Sequence, residues 1–331
     1  MVNIKEIRIK NFRSLVDITL SPTNLNVFVG MNDSGKSNIL KALNLFFNNQ
    51  TDDNREFDFN TDYSKLAPQK AKKAKEIKII LKVIIPNSYR NKGEYVWTKV
   101  WRGDKTEPFF DSLYDDKKSG KVFTPRSKAT TFLERIQFCY VPATKSGEYF
   151  SRLLGELYAT ISQDAKSDIS VKTIDYSNAV QLFTSQISNT LRDTIGIESA
   201  LVMPPNQVDV FKLFTFKTKD ASQNDVFLEQ RGDGIKSRHI PAILEFVSKY
   251  KSTIYQNSSV PSNTIWGYEE PETGIEMSRC FDCSKEFLTY SKDINIFLTT
   301  HSPAFYSLEH ENDSKVFYIS KNDKSGETTA T

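Results

Sequence analysis

The chain has 331 residues, 26% of them charged and 38% hydrophobic, a balance that fits a soluble globular protein of one large domain or two smaller ones. A net charge of +3 is too small to argue for nucleic acid on composition alone, although clustered lysines could still form a local basic face. Three cysteines make no disulfide framework, and the sequence has neither a secretory signal nor an apolar run long enough to cross a membrane, so a cytoplasmic protein is expected.

Residues 2–10 alternate apolar and charged side chains around Ile4, Ile7 and Ile9, which predicts a half-buried strand. The alternation slips by one residue between Ile4 and Ile7. Residues 11–14 read as a turn and 15–20 as a second strand. Arg13 is read as a solvated turn residue, with a place near a nucleotide as the alternative. Residues 25–29 (LNVFV) form a short apolar strand, and the next eight, Gly30 to Ser37, read G-x-x-x-x-G-K-S. Beyond them Ile39, Leu40, Leu43, Phe46 and Phe47 fall on one helical face.

Strand, glycine loop and helix in that order suit phosphate binding. The loop's N–H groups wrap phosphate oxygens, and the helix N-terminus adds partial positive charge. Lys36 reaches the outer phosphates and the Ser37 hydroxyl would ligate Mg²⁺. The candidate ATP contacts are Gly30, Asn32, Asp33, Ser34, Gly35, Lys36, Ser37 and Asn38. The alternative, a chance match in a glycine loop, is opposed by the strand and helix that flank it.

Residues 48–74 are polar and irregular. The basic run Lys70, Lys72, Lys73 and Lys75 reads as a solvated surface, or else as a contact to a phosphate backbone. Residues 76–85 (EIKIILKVII) and 95–102 (YVWTKVWR) are strands joined through Asn91-Lys92-Gly93, which predicts an antiparallel β lobe. Residues 103–130 are polar and read as loop-rich. Residues 136–142 (IQFCYVP) are a buried strand holding Cys139 in the core, and helices over 143–163 and 177–195 make an insertion without heptads. Strands are expected at 198–203 and 209–217. Gly232-Asp233-Gly234 opens a helix over 235–250. A strand at 264–268 ends in Glu269-Glu270-Pro271-Glu272, and a helix over 274–290 follows. Cys280-x-x-Cys283 in that helix lacks a second pair for a zinc site, so burial is the reading. Another strand, 294–298, runs into Thr299-Thr300-His301-Ser302-Pro303. A last strand covers 316–320, and residues 322–331 are polar.

Hydrolysis needs more than a phosphate loop: metal handling, an oriented water and stabilised charge around the γ-phosphate. A carboxylate pair at a strand end can supply the first two. One acid holds Mg²⁺ through its waters while the next polarises the attacking water, although acidic pairs also occur as plain surface turns. His301, at the end of the following strand, could donate a hydrogen bond to the γ-phosphate or to the water, or be a structural turn residue.

Together GMNDSGKS, RGDGIKS, YEEPETG and TTHSP, preceded by IKNFRSL, resemble the ABC-type ATPase heads of the RecF, SMC and OLD group, and the E-E-P-E form is most similar to OLD-like ATPases of phage defence. The resemblance implies an α/β P-loop head with a mixed core sheet, an antiparallel β lobe and a helical insertion. It divides the chain into an N-terminal ATPase half (1–142), the insertion (143–200) and a C-terminal ATPase half (201–331). It implies ATP and Mg²⁺ as ligands, with Ser37 and Glu269 managing the metal, Glu270 as catalytic base and His301 as switch histidine. Gly232, Asp233 and Gly234 stand where the family has its signature loop, which reaches the partner's γ-phosphate across a dimer. The loop departs from L-S-G-G-Q, and Arg231 or Lys236 are its charged candidates. Gln69 is the candidate Q-loop glutamine.

The implied partners are a second copy or higher oligomer and a nuclease or other effector, with DNA or RNA as a candidate ligand and no membrane. The expected function is an ATP-driven dimerising switch in anti-phage defence. The alternatives are a RecF-like ATPase of DNA repair or recombination, the ATPase portion of an OLD-type nuclease lacking its TOPRIM domain, and an adaptor holding ATP as a structural ligand.

Overall fold

Two kinds of strand are separated by their burial. In the computed structural model, which describes residues 2–68, 73–85, 93–103, 105–115, 128–162, 168–195, 215–220, 222–254 and 263–331, some strands alternate buried and half-buried side chains and others are buried throughout. In chain order they are β1 (Asn3–Phe12), β2 (Leu15–Leu20), β3 (Leu25–Val29), β4 (Gln50–Asp52), β5 (Arg55–Glu56), β6 (Ile77–Ile85), β7 (Gly93–Trp101), β8 (Phe110–Asp115), β9 (Ile136–Val141), β10 (Lys217–Lys219), β11 (Asp225–Phe227), β12 (Asn263–Glu269), β13 (Asn295–Thr300), β14 (Ser314–Lys321) and β15 (Thr328–Ala330).

The chain divides into two units, Met1–Lys145 with Tyr255–Thr331, and Ser146–Ile254. The first holds two large sheets. One is antiparallel, in the order β2-β1-β6-β7-β8. Its central strand β6 alternates strictly, so one face is apolar and the other carries lysines. The slip between Ile4 and Ile7 corresponds to a register shift between Ile4 and Glu6 where β1 pairs with β6, which returns Ile4, Ile7 and Ile9 to the buried face. The other sheet has the order β15-β14-β3-β13-β12-β9 and is parallel except for the β14–β15 pair. Every residue of β3 and β13 is buried, as parallel strands covered on both faces require.

The helix Lys36–Asn48 is the shared core element. Ile39, Leu40, Leu43 and Phe46 are fully buried in a cluster with Ile7, Ile9, Ile79 and Leu81 from the antiparallel sheet and Phe28, Ile265 and Phe297 from the parallel one. Phe46 meets the edge of Trp97 on β7 at 4.8 Å between ring centroids, and Phe47 stacks on Phe138 of β9 at 5.5 Å. The helix ends at Asn49, whose left-handed backbone lets its N–H reach the Leu45 carbonyl at 3.1 Å.

The second unit contains the helices Gly147–Ser162, Asp168–Phe183, Ser185–Ile195 and Asp233–Ile254, with the β10–β11 hairpin. It carries the RGDGIKS loop as well as the helices expected over 143–200.

Several local expectations are corrected. Within residues 103–130, read as loop-rich, two elements were missed: β8, which completes the antiparallel sheet, and the helix that begins at Lys128. The helix expected over 177–195 is two helices that meet at Thr184, whose hydroxyl turns back to the Val180 carbonyl. The polar residues 322–331 include β15. Cys280 and Cys283 are buried, whereas Cys139 is only half-buried. The strands expected at 198–203 and 209–214, Asn91-Lys92 and Gln69 lie outside the described residues. No helix among the described residues is long and apolar enough to cross a membrane.

Phe46 is fully buried against Trp97 in the shared core, so Phe46→Ala is expected to destabilise the protein by about 3–5 kcal/mol in urea unfolding, against less than ~1 kcal/mol for an exposed change such as Lys65→Ala.

Candidate nucleotide-binding site

β3, β13 and β12 lie side by side and run the same way, with Val29 opposite Thr300 and Thr299 opposite Glu269. Their carboxyl ends therefore gather the glycine loop, the histidine turn and the acidic pair, the position at which open parallel sheets take ligands.

The loop itself is held in a shape that needs glycine. Gly30 has φ +154° and a Cβ there would fall 2.0 Å from the Ile319 carbonyl oxygen, while Gly35 has φ +102° and a Cβ there would fall 2.3 Å from Thr328 Oγ1. Gly35 also caps the helix, whose first turn has no side-chain cap. Lys36 is buried and donates from Nζ to the carbonyls of Gly30 at 2.9 Å and Met31 at 2.8 Å. Burial pulls its ammonium below the usual lysine range, and Glu270, Glu272 and Glu269 oppose that pull. Ser34 Oγ is buried with no hydrogen-bond partner among the described residues, a donor left over inside the loop. Asn32 and Asp33 are exposed, and Asp33 pairs with Lys321 at 2.8 Å.

Residues distant in sequence brace this loop. Thr328 Oγ1 donates to the Ser34 carbonyl at 2.9 Å and lies 2.7 Å from the Ser14 hydroxyl, and Asn38 Nδ2 donates to Ser14 Oγ at 2.9 Å. Arg13 is no solvated turn residue. Its Nε donates to Asp62 at 2.7 Å and its Nη2 to Asp52 at 2.8 Å, and Lys41 of the loop's helix also pairs with Asp52. That network ties the β1–β2 turn to the helix that follows the loop.

Ser37 Oγ donates to Glu269 Oε2 at 3.0 Å. The other oxygen of Glu269 accepts from Tyr140 Oη at 2.6 Å, and burial together with this carboxylate pushes the phenol well above its usual range. The next residue, Glu270, has a left-handed backbone, φ +43°, a conformation that costs a non-glycine residue about 1–3 kcal/mol. Its carboxylate accepts from Thr273 Oγ1 at 3.2 Å and lies 3.8 Å from His301 Nε2. Lys145, just past β9, is half-buried and donates from Nζ to the carbonyls of Ala143 at 3.2 Å, Glu269 at 3.0 Å and Glu270 at 3.0 Å. Burial lowers its pKa to about 8 against the pull of Glu272, Glu270 and Glu269.

Glu272 fixes the histidine turn. Its Oε1 accepts from Thr300 Oγ1 at 2.6 Å, from the His301 N–H at 2.7 Å and from the Ser302 N–H at 3.1 Å. Its Oε2 is buried with no partner among the described residues.

Gly232, Asp233 and Gly234 belong to the second unit, at the start of the helix Asp233–Ile254. Gly232 and Asp233 are exposed, Lys236 lies 3.7 Å from Asp233, and Arg231 donates to Thr218 Oγ1 at 2.6 Å.

With this arrangement in view, the comparisons with known proteins are decisive for the family. The sequence profile described as "AAA ATPase domain" matches residues 3–191. The chain belongs to that AAA ATPase domain family. Endonuclease GajA of Bacillus cereus (strain VD045) is 24% identical over 343 residues, covering 91% of this chain and 56% of GajA, so the chain spans little more than half the length of that relative. Among solved structures, this AAA-family chain is similar to an Smc head bound to the C-terminal winged-helix domain of ScpA (TM-score 0.63, 18% identity, 99% of this chain and 96% of that one). It is also similar to an Smc head with an extended coiled coil, bound to the C-terminal domain of ScpA from Pyrococcus furiosus (TM-score 0.61, 15% identity, 100% and 96%). RecF with ATP aligns over 100% of this chain and 99% of its own at TM-score 0.50 and 13% identity. The fold is that of ABC-type ATPase heads.

Three residues of the site were not read from the sequence. Glu272 stands within the acidic motif itself, three residues after Glu269, and its spacing was the available signal. Tyr140 and Lys145 come from a strand and loop with no motif, and only the pairing of β9 with β12 brings them to the acids.

Because a single carboxylate oxygen holds three donors of the histidine turn, Glu272→Ala is expected to speed hydrogen exchange at the His301 and Ser302 amides by about 10-fold or more, leaving amides in the middle of β13 unchanged. Unchanged exchange at both turn amides would count against the clamp.

Proposed function

We propose that this chain is an ATP-hydrolysing head that works as a nucleotide-driven dimerising switch or sensor, acting in the cytoplasm in anti-phage defence together with a nuclease effector. The observation that carries the ATPase part is the hydrogen bond between Ser37 and Glu269, 3.0 Å long between residues 232 apart in sequence, because it joins the phosphate loop to the acidic pair. The link to a nuclease is supported by the likeness to Endonuclease GajA, and the defence part by the resemblance of the E-E-P-E motif to OLD-like ATPases.

In this reading ATP lies against the loop Gly30–Ser37 and the first turn of its helix, with Asn32, Asp33, Ser34, Gly35 and Asn38 as further contacts and Lys36 on the outer phosphates. Ser37 Oγ and the Glu269 carboxylate present adjacent oxygens, a donor set that suits Mg²⁺, which prefers a few protein oxygens and completes its shell with phosphate and water. Held by Ser37 and Glu269, a bound Mg²⁺ would supply neutralisation of the phosphates' negative charge. The Glu270 carboxylate accepts the proton of the attacking water, and the imidazole of His301 donates a hydrogen bond toward the γ-phosphate side. Gly232, Asp233 and Gly234 act on the nucleotide of a partner copy, so hydrolysis and assembly are linked. DNA or RNA is a candidate ligand of the switch.

A second reading is favoured by the length of the match to GajA, 56% of that protein: the chain is the ATPase portion of an OLD-type endonuclease, and cleavage belongs to a separate nuclease site.

Sedimentation velocity with and without ATP–Mg²⁺, on wild type and Glu270→Gln, tests the switch. The variant is expected to lose hydrolysis by about 10²- to 10⁴-fold, to retain ATP and to persist as an ATP-dependent dimer. ATP binding with no change in assembly would sink the dimerising switch and leave nucleotide as a structural or sensing ligand.

A further inference from the structure

Lys145 is a half-buried cation whose three N–H donors are all spent on backbone carbonyls rather than on any acid side chain. Two of those carbonyls belong to consecutive residues, Glu269 and Glu270, and the third, of Ala143, anchors the lysine to the loop that follows β9. The Tyr268 ring lies 5.3 Å from the ammonium. The peptide so held is the one at which the backbone leaves β12 and enters its left-handed turn at Glu270, φ +43°. The remaining restraints on that turn are ordinary: the Glu270 N–H donates to the Thr299 carbonyl at 2.9 Å and the Thr273 N–H to the Glu270 carbonyl at 3.1 Å. A strained residue persists only where its surroundings over-determine it. Here the charged contribution comes from one side chain.

We infer that Lys145 is the positioning residue of the hydrolytic step: by gripping the carbonyls of Glu269 and Glu270 it locks the left-handed turn that aims the Glu270 carboxylate. The inference rests on the reading of Glu270 as the base. The lysine touches neither nucleotide nor water in this role. Its removal frees Glu270 to relax toward an ordinary backbone conformation, which swings the carboxylate away from the attacking water, while the phosphate loop and Lys36 are left as they were. A displacement of about 1 Å at a reacting group costs on the order of 100-fold in rate. The effect therefore belongs to kcat and not to nucleotide affinity.

The test uses the whole chain as wild type, Lys145→Met, Lys145→Arg, Glu270→Gln and the Lys145→Met/Glu270→Gln double variant. ATP turnover is measured at saturating ATP–Mg²⁺, and affinity by titration with a fluorescent N-methylanthraniloyl ATP. Lys145→Met, which keeps the side chain's length and removes its donors, is expected to lower kcat by about 10- to 100-fold with Kd within ~3-fold of wild type. Lys145→Arg is expected to restore part of that loss. The double variant should turn over no more slowly than Glu270→Gln alone, because an aiming device has nothing left to aim. If Lys145→Met fails to fold, Lys145→Gln takes its place, since its two donors cannot serve three carbonyls. It is expected to lose about 10-fold in kcat, and wild-type turnover would count against the inference. Unchanged kcat in Lys145→Met, or a loss that multiplies with that of Glu270→Gln, overturns it. A Glu270→Gln protein that hydrolyses ATP at the wild-type rate overturns the base assignment first and this inference with it, whatever Lys145→Met does.

Discussion

A phosphate loop must keep its N–H groups turned inward, a shape that a free peptide does not hold, and here that shape depends on the burial of the helix behind it. Lys36–Asn48 lies between an antiparallel and a parallel sheet, and its apolar face is shared by both. Fixing the helix fixes Gly35 and the loop. Its position in turn sets where Ser37 meets Glu269, 3.0 Å away. Most of the site's geometry is thus a by-product of packing Phe46 and Phe47 against Trp97 and Phe138. The chemistry sits at strand ends because those are the places where a rigid sheet delivers side chains without covering them.

Charge is handled around the site by carbonyls and carboxylates that work in pairs of elements. Lys145 joins the end of β9 to the end of β12, Glu272 joins the loop after β12 to the turn after β13, and Tyr140 orients Glu269 from β9. None of these contacts runs along the chain locally. Each spans neighbouring strands of the parallel sheet, so the acids and the histidine turn are tied to that sheet.

Much of this fold was legible because burial leaves a period in the sequence. The β-branched, apolar run of residues 77–85 read as a strand, and the slip between Ile4 and Ile7 even marked the β1 register shift. The apolar run before Gly30 and the acids after β12 likewise announced strand ends. The contributions of Arg13, Lys145 and Thr328 were not legible, for a physical reason. Polar residues in turns look alike in sequence whether they face water or a buried carboxylate, and only tertiary pairing decides. Arg13 was read as solvated, yet it lies between Asp52 and Asp62. Residues 322–331 looked like a polar tail because β15 is three residues long, too short to show a period.

The brace between Ser14 and Thr328 closes over 314 residues, and this bears on how the protein is made. On a ribosome moving at about 5–20 residues per second, the sequence of the phosphate loop emerges roughly 15–60 s before its partner strand β15 exists. During that interval the nascent chain carries the binding motif without the contacts of Thr328 to Ser14 and Ser34. The brace on the loop is therefore complete only once Thr328 has been made, so a chain interrupted before that residue retains every residue of the motif without the contacts that hold Ser14 and the Ser34 carbonyl.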